Sequence, residues 1–92
     1  MSHSVSLSWT ASSDAVSGYN VYRSTTAGAK QNLLNGTTLV TGTTYTDSTV
    51  TPGSWFYDVT AVENGAESSV SNSVNAVILP AAPTNLTLVS AS

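Results

Sequence analysis

The residues able to do chemistry are few. One histidine (His3), five carboxylates (Asp14, Asp47, Asp58, Glu63 and Glu67) and two cations (Arg23 and Lys30) are the whole ionisable set of a 92-residue chain without cysteine, the tyrosines aside. Lack of cysteine removes disulfides, thiolate ligands and thiol nucleophiles. His3 stands at the N-terminus, and a triad or histidine metal site would need it held against distant partners. No two carboxylates have the spacing of a glycosidase pair. Asp14, Glu63 and Glu67 fall in turn-rich stretches and read first as solvated loop charges, because a calcium site needs several convergent oxygens. No catalytic residue, metal ligand or cofactor site is assigned on these grounds, and the chain reads as a non-enzyme.

Aromatic side chains are the second chemical resource. Trp9, Tyr19, Tyr45, Trp55 and Tyr57 share the phase of their apolar neighbours and read as core. Tyr22 and Phe56 fall out of that phase and read as exposed. Two exposed rings on neighbouring strands would form a small platform able to stack on a sugar. The competing reading is cross-strand or inter-module packing.

These side chains must be positioned by strands. Val5, Leu7 and Trp9 alternate with Ser4, Ser6, Ser8 and Thr10, which predicts a half-buried strand. Gly18–Arg23, Thr43–Val50, Trp55–Glu63 and Ser69–Leu79 read as further strands. Lys30–Val40 is broken by Asn35-Gly36 and reads as a short edge strand or an irregular crossing. Pro52-Gly53 and Asn64-Gly65 are turn signals. Pro80-Ala81-Ala82-Pro83 interrupts any sheet, since proline cannot donate to a ladder. Leu86, Leu88 and Val89 then predict a last short strand. No stretch has helical period. The fold class is all-β, a sandwich or small barrel.

Composition excludes several partners. Two basic residues and a net charge of −3 cannot neutralise a run of phosphates. Nucleic acid and anionic membrane surfaces are therefore excluded. The longest apolar stretch, Ala76–Leu79, is far short of a membrane span, and Met1-Ser2-His3-Ser4 lacks the basic and apolar regions of a signal peptide. Charged residues are only 8%, while serine and threonine account for 30 of 92 positions. Such hydroxylated faces keep strands soluble without charge and leave edges weakly guarded. Asn35-Gly36-Thr37 and Asn85-Leu86-Thr87 match the glycosylation sequon.

Five blocks in order carry a resemblance. Ser6-Leu7-Ser8-Trp9, Gly18-Tyr19-Asn20-Val21-Tyr22-Arg23, Tyr45-Thr46-Asp47, Val50-Thr51-Pro52-Gly53 and Val59-Thr60-Ala61-Val62 resemble a fibronectin type III domain of the bacterial tandem-repeat kind. The resemblance implies a two-sheet Greek-key sandwich of about seven strands, with sheets A-B-E and C-C′-F-G. It implies that the loops carrying Asp14 and Asn64, Glu67 share one pole. Trp55 stands where the family places a tyrosine whose hydroxyl bonds backbone at the corner before strand F. An indole donates but does not accept. A slip of one residue would bury Asp58, which favours Trp55 as the inward residue.

The resemblance also implies a frame shifted by one strand. Residues 1–79 read as strands B to G, and 80–92 as a linker plus a strand A-like segment carrying Leu86, Leu88 and Val89. That segment is expected to fill an open edge in a neighbouring repeat or an identical chain, giving a homo-oligomer by strand exchange. A fold-back into the chain's own slot and a disordered tail are the alternatives. The function this implies is a non-catalytic spacer, stalk or adhesion-associated module of a larger extracellular bacterial protein, without cofactor. The alternative is a carbohydrate-binding accessory module of a polysaccharide-degrading enzyme.

Overall fold

Alternating branched and hydroxylated residues favour extended backbone, and the chain becomes strands wherever that pattern runs. A computed structural model describes residues 3–91. Seven strands form in the order β1 (Val5–Ser8), β2 (Gly18–Ser24), β3 (Asn32–Leu33), β4 (Thr44–Asp47), β5 (Gly53–Glu63), β6 (Ala66–Glu67) and β7 (Val74–Ile78). One sheet holds β1 and β4 alone. The other runs β3-β2-β5, with β6 and β7 sharing the far edge of β5. All pairs are antiparallel. The architecture is all-β, as the residue pattern implies, and its strands fall into two sheets rather than one closed barrel. Among the described residues no helix is long and apolar enough to cross a membrane.

Register decides which side chains meet. β2 and β5 pair Tyr19 with Ala61, Val21 with Val59 and Arg23 with Tyr57, so these residues share one face with Trp55. That face looks toward β1 and β4. Tyr19, Val21 and Tyr57 are its buried residues, Val50 of the β4–β5 connection is buried too, and Trp9 meets Tyr19 edge-on at 5.5 Å between ring centroids. Gly18 makes room for this packing. A Cβ there would lie 2.7 Å from Leu39 Cβ and 2.9 Å from the Val40 carbonyl, which bonds the Tyr19 N–H. The Asn64-Gly65 turn closes β5 onto β6 with φ of 50° and 79°, the left-handed pair that such a two-residue loop requires.

The inward phase of β5 is the expected one, but the expected exposure of the other phase is not. Asp58 and Thr60 are each 1% exposed on the outer face. The 24–31 connection and the 67–73 segment cover them. Asp58 accepts the Ser73 hydroxyl and the Gly28 N–H, so its burial needs no slip of the strand. The expected strand Ser69–Leu79 is shorter, because Ser68 and Ser71 turn their hydroxyls onto β5 backbone N–H groups and break the ladder between β6 and β7. Residues 79–91 form no strand.

A buried carboxylate bonds the two sheets to each other, besides the Tyr45 hydroxyl, which donates to the Leu34 carbonyl at 3.1 Å. Asp47, at the end of β4, is 2% exposed. It accepts Arg23 Nη1 from β2 at 2.7 Å, the Tyr57 hydroxyl from β5 at 2.7 Å, and both the N–H and hydroxyl of Thr49. Burial alone would raise its pKa, but the donors from Tyr57, Thr49 and Arg23 outweigh it and hold the carboxyl below its ordinary value. Burial, then the Asp47 carboxylate, pushes the Tyr57 phenol far up. The Arg23 guanidinium lies 5.0 Å from the Trp55 ring centroid. Trp55 Nε1 donates to the Thr51 carbonyl at 2.8 Å, so the indole forms the backbone bond at the corner before β5.

Asp47→Ala should destabilise by about 3 kcal/mol and Tyr57→Phe by about 1–3 kcal/mol, read by urea unfolding at neutral pH. Because the folded pKa of Asp47 is depressed, its contribution is complete above its unfolded value of about 3.9 and is lost as pH falls through the lower folded value. Asp47→Asn should flatten that part of the acid limb. An acid limb identical in the two chains would refute this assignment.

Candidate functional site

The loop pole is the first candidate. The β1–β2 connection and the β5–β6 turn do meet, and Asp14, Glu63 and Glu67 line one shallow depression with Ser12 and Ser68. Asn64 sits exposed in the turn itself. Ser12 takes the Asp14 N–H on its hydroxyl and gives its own N–H to the Tyr19 hydroxyl, which orders the loop without drawing in the Asp14 carboxylate. Among the described residues no three histidine, cysteine, aspartate or glutamate side chains stand together as a metal site.

Glu67 does something the sequence did not announce. Its carboxylate arches over the outer face of β2 and β5. Oε2 accepts the Thr60 hydroxyl at 2.6 Å, Asn20 Nδ2 at 3.2 Å and the Tyr22 hydroxyl, while Oε1 accepts Lys30 Nζ at 2.9 Å. The donors from Thr60, Tyr22 and Lys30 lower its pKa to about 2. The same contact raises the pKa of Lys30, whose ammonium lies 5.4 Å from the Tyr22 ring centroid. Burial and the Glu67 carboxylate raise that of Tyr22.

This cluster corrects the aromatic platform. Tyr22 is 8% exposed, because Glu67 and Lys30 close over it. Phe56 shares its face but is half-buried between cross-strand neighbours Ser24 and Asn75. Two exposed rings side by side are absent from this face. Asn35 is also committed, since its side chain accepts the Val21 N–H and donates to Asn20 and to the Thr38 carbonyl.

The trailing segment and the cleft between the sheets remain as open apolar surface. Leu86, Leu88 and Val89 are 97%, 82% and 93% exposed, outside any strand. Leu7 of β1, Trp9 just beyond its end, and Tyr57, Val59 and Val74 of the second sheet line a groove of about 380 Å³. His3 lies apart from it, beside Thr49–Pro52 and Pro80.

Among the described residues, no group brings a nucleophile, a base and oxyanion donors together. Glu67, Asp47 and Asp58 spend their acceptor capacity on the chain's own donors. An NMR pH titration of the Glu67 carboxyl should show a midpoint of about 2, and Lys30→Met should move it upward. A midpoint near the ordinary glutamate value of about 4.3 in the wild-type chain would show that the cluster does not hold in solution.

No family model matches the chain, and no solved structure matches it. It is similar to segments of three bacterial enzymes. An amylopullulanase of Thermoanaerobacter thermohydrosulfuricus is 49% identical over 74 residues, which is 78% of this chain and 5% of that enzyme. An amylopullulanase of Thermoanaerobacterium saccharolyticum is 41% identical over 81 residues, 86% of this chain and 6% of the enzyme. One of Thermoanaerobacterium thermosulfurigenes is 41% identical over 92 residues, 94% of this chain and 5% of the enzyme. The chain spans about a twentieth of the length of these relatives.

Proposed function

We propose that the chain is a non-catalytic fibronectin type III-like module, serving as a spacer or interaction unit within a larger extracellular polysaccharide-degrading enzyme of bacterial origin. The observation that carries this reading is the similarity over most of the chain to a small segment of enzymes many times its length. The fold supports it. β1 and β4 facing β3-β2-β5-β7 have the order expected of strands B, E and C′, C, F, G, and Trp55 supplies the corner bond. The ionisable groups support it too, since both cations are paired and three of five carboxylates are tied up in structure.

The alternative is a carbohydrate-binding accessory module. The relatives' name favours it, but the burial of Tyr22 leaves Phe56 alone on that face.

Affinity electrophoresis through gels containing pullulan or amylopectin separates the two. The spacer reading expects unchanged mobility, and no reducing ends released from either polymer by the isolated chain. Retardation that Phe56→Ala abolishes would replace it with the carbohydrate-binding reading. Hydrolysis by the purified chain would overturn both.

A further inference from the structure

The two sheets differ in width. β7 extends the second sheet past β5, and its Val74, Ala76 and Ile78 share the inward face with Tyr57 and Trp55. The first sheet has only β1 and β4 to cover that width. Val74 is consequently 43% exposed although it points inward. The groove along Leu7, Trp9, Val59 and Val74 is the uncovered part.

The free edge of β1 borders that groove. The Trp9 N–H bonds the Thr43 carbonyl, so in the alternation of an antiparallel pair Leu7 and Val5 also face β4. Ser6 and Ser8 therefore turn their N–H and C=O groups outward, and no described strand pairs with them. The indole Nε1 of Trp9, in the groove wall, is also without an acceptor. One more strand beside β1 would pair the edge and roof β7.

The chain carries a segment of matching length and polarity. Leu86–Val89 has four residues, as β1 has, and its apolar side chains are almost fully exposed. Its own β1 is poorly placed to receive it. β7 ends at Ile78 opposite Gly53, and Pro80 and Ala81 lie beside His3, Val50 and Pro52. The tail thus leaves at the end where β1 starts, and a direct return would run parallel to β1, the weaker pairing. Pro80 and Pro83 favour an extended linker. The tail projects away, and the molecule spans 70 Å along its long axis against 21 Å across. A second copy stacked end to end receives it at the Trp9 end of its groove, running antiparallel to β1.

We infer that Leu86–Val89 of one chain adds as a strand to the free edge of β1 in a second copy, head to tail. The contact is heterologous, so copies add in series, as an open filament or a closed ring. The low charge of both surfaces and the near absence of lysine leave this edge unguarded. The inference stands apart from the spacer reading, because it concerns the groove and tail alone.

Sedimentation velocity of the full chain across a concentration series tests it. The expected result is a mass that rises with concentration beyond the dimer. Leu86→Asp/Leu88→Asp should abolish donation, and Ser6→Pro should block acceptance while sparing the β4 bonds. Each variant alone should be monomeric, and their mixture should give a one-to-one complex, because one retains the edge and the other the tail. The mixture keeps the test valid, since a variant that fails to fold would form no such complex. A wild-type monomer at every concentration overturns the inference, as does assembly that persists in both variants. A mass that stops at the dimer overturns the serial arrangement.

Discussion

A carboxylate without water must find its donors in the protein, and Asp47 finds them in three separate pieces of chain. Arg23 comes from β2, Tyr57 from β5, and Thr49 from the connection between β4 and β5. The network is one of the ties between the narrow sheet and the wide one, in a chain whose buried apolar residues are few. It also fixes the end of β2, because Arg23 is held between the carboxylate and the Trp55 ring. Trp55 is in turn pinned to Thr51, so one charge orients the corner and the start of β5 together.

The scarcity of charge gives this arrangement its weight. Of two cations, one serves Asp47 and the other Glu67. Each ion pair joins segments distant in sequence. Exposed pairs contribute little, but a pair with one partner sealed from water is expensive to break. The Asp47 pair is of the second kind and the Glu67 pair is nearer the first, with its lysine half open to solvent. The remaining buried carboxylate, Asp58, takes hydroxyl and backbone donors instead. The serine-rich and threonine-rich composition thus has an internal use as well as a solvating one: hydroxyls of Thr49, Thr60 and Ser73 satisfy carboxylates that too few cations could serve.

Sequence reading succeeded where one strand's own pattern decides the outcome. The phase of β5, the break at Pro52-Gly53 and the Asn64-Gly65 turn are local properties, and each is found as expected. It failed where burial depends on a segment without period. Tyr22 is out of phase with the core, yet Glu67, distant in sequence, closes over it. Asp58 is covered by the same kind of irregular chain. The cue available was arithmetic: two cations among five carboxylates imply that other donors are drawn in. Leu86–Val89 shows a different limit. Alternation marks a sequence able to be a strand, but a strand exists only when an edge is there to pair with it. Within one chain that edge is turned the other way.

The placement of His3 beside Pro80 has a mechanical meaning. A pull applied through those two points acts at one end of β1 and one end of β7, which lie in different sheets, and peels each from its own neighbour, β4 or β5, one hydrogen bond at a time, like a zip. A strand lying in the groove from the opposite end would instead be loaded along its length, by a pull along the stack of copies. Every bond in that ladder would then be loaded together, and the weak direction of the fold would become its strong one.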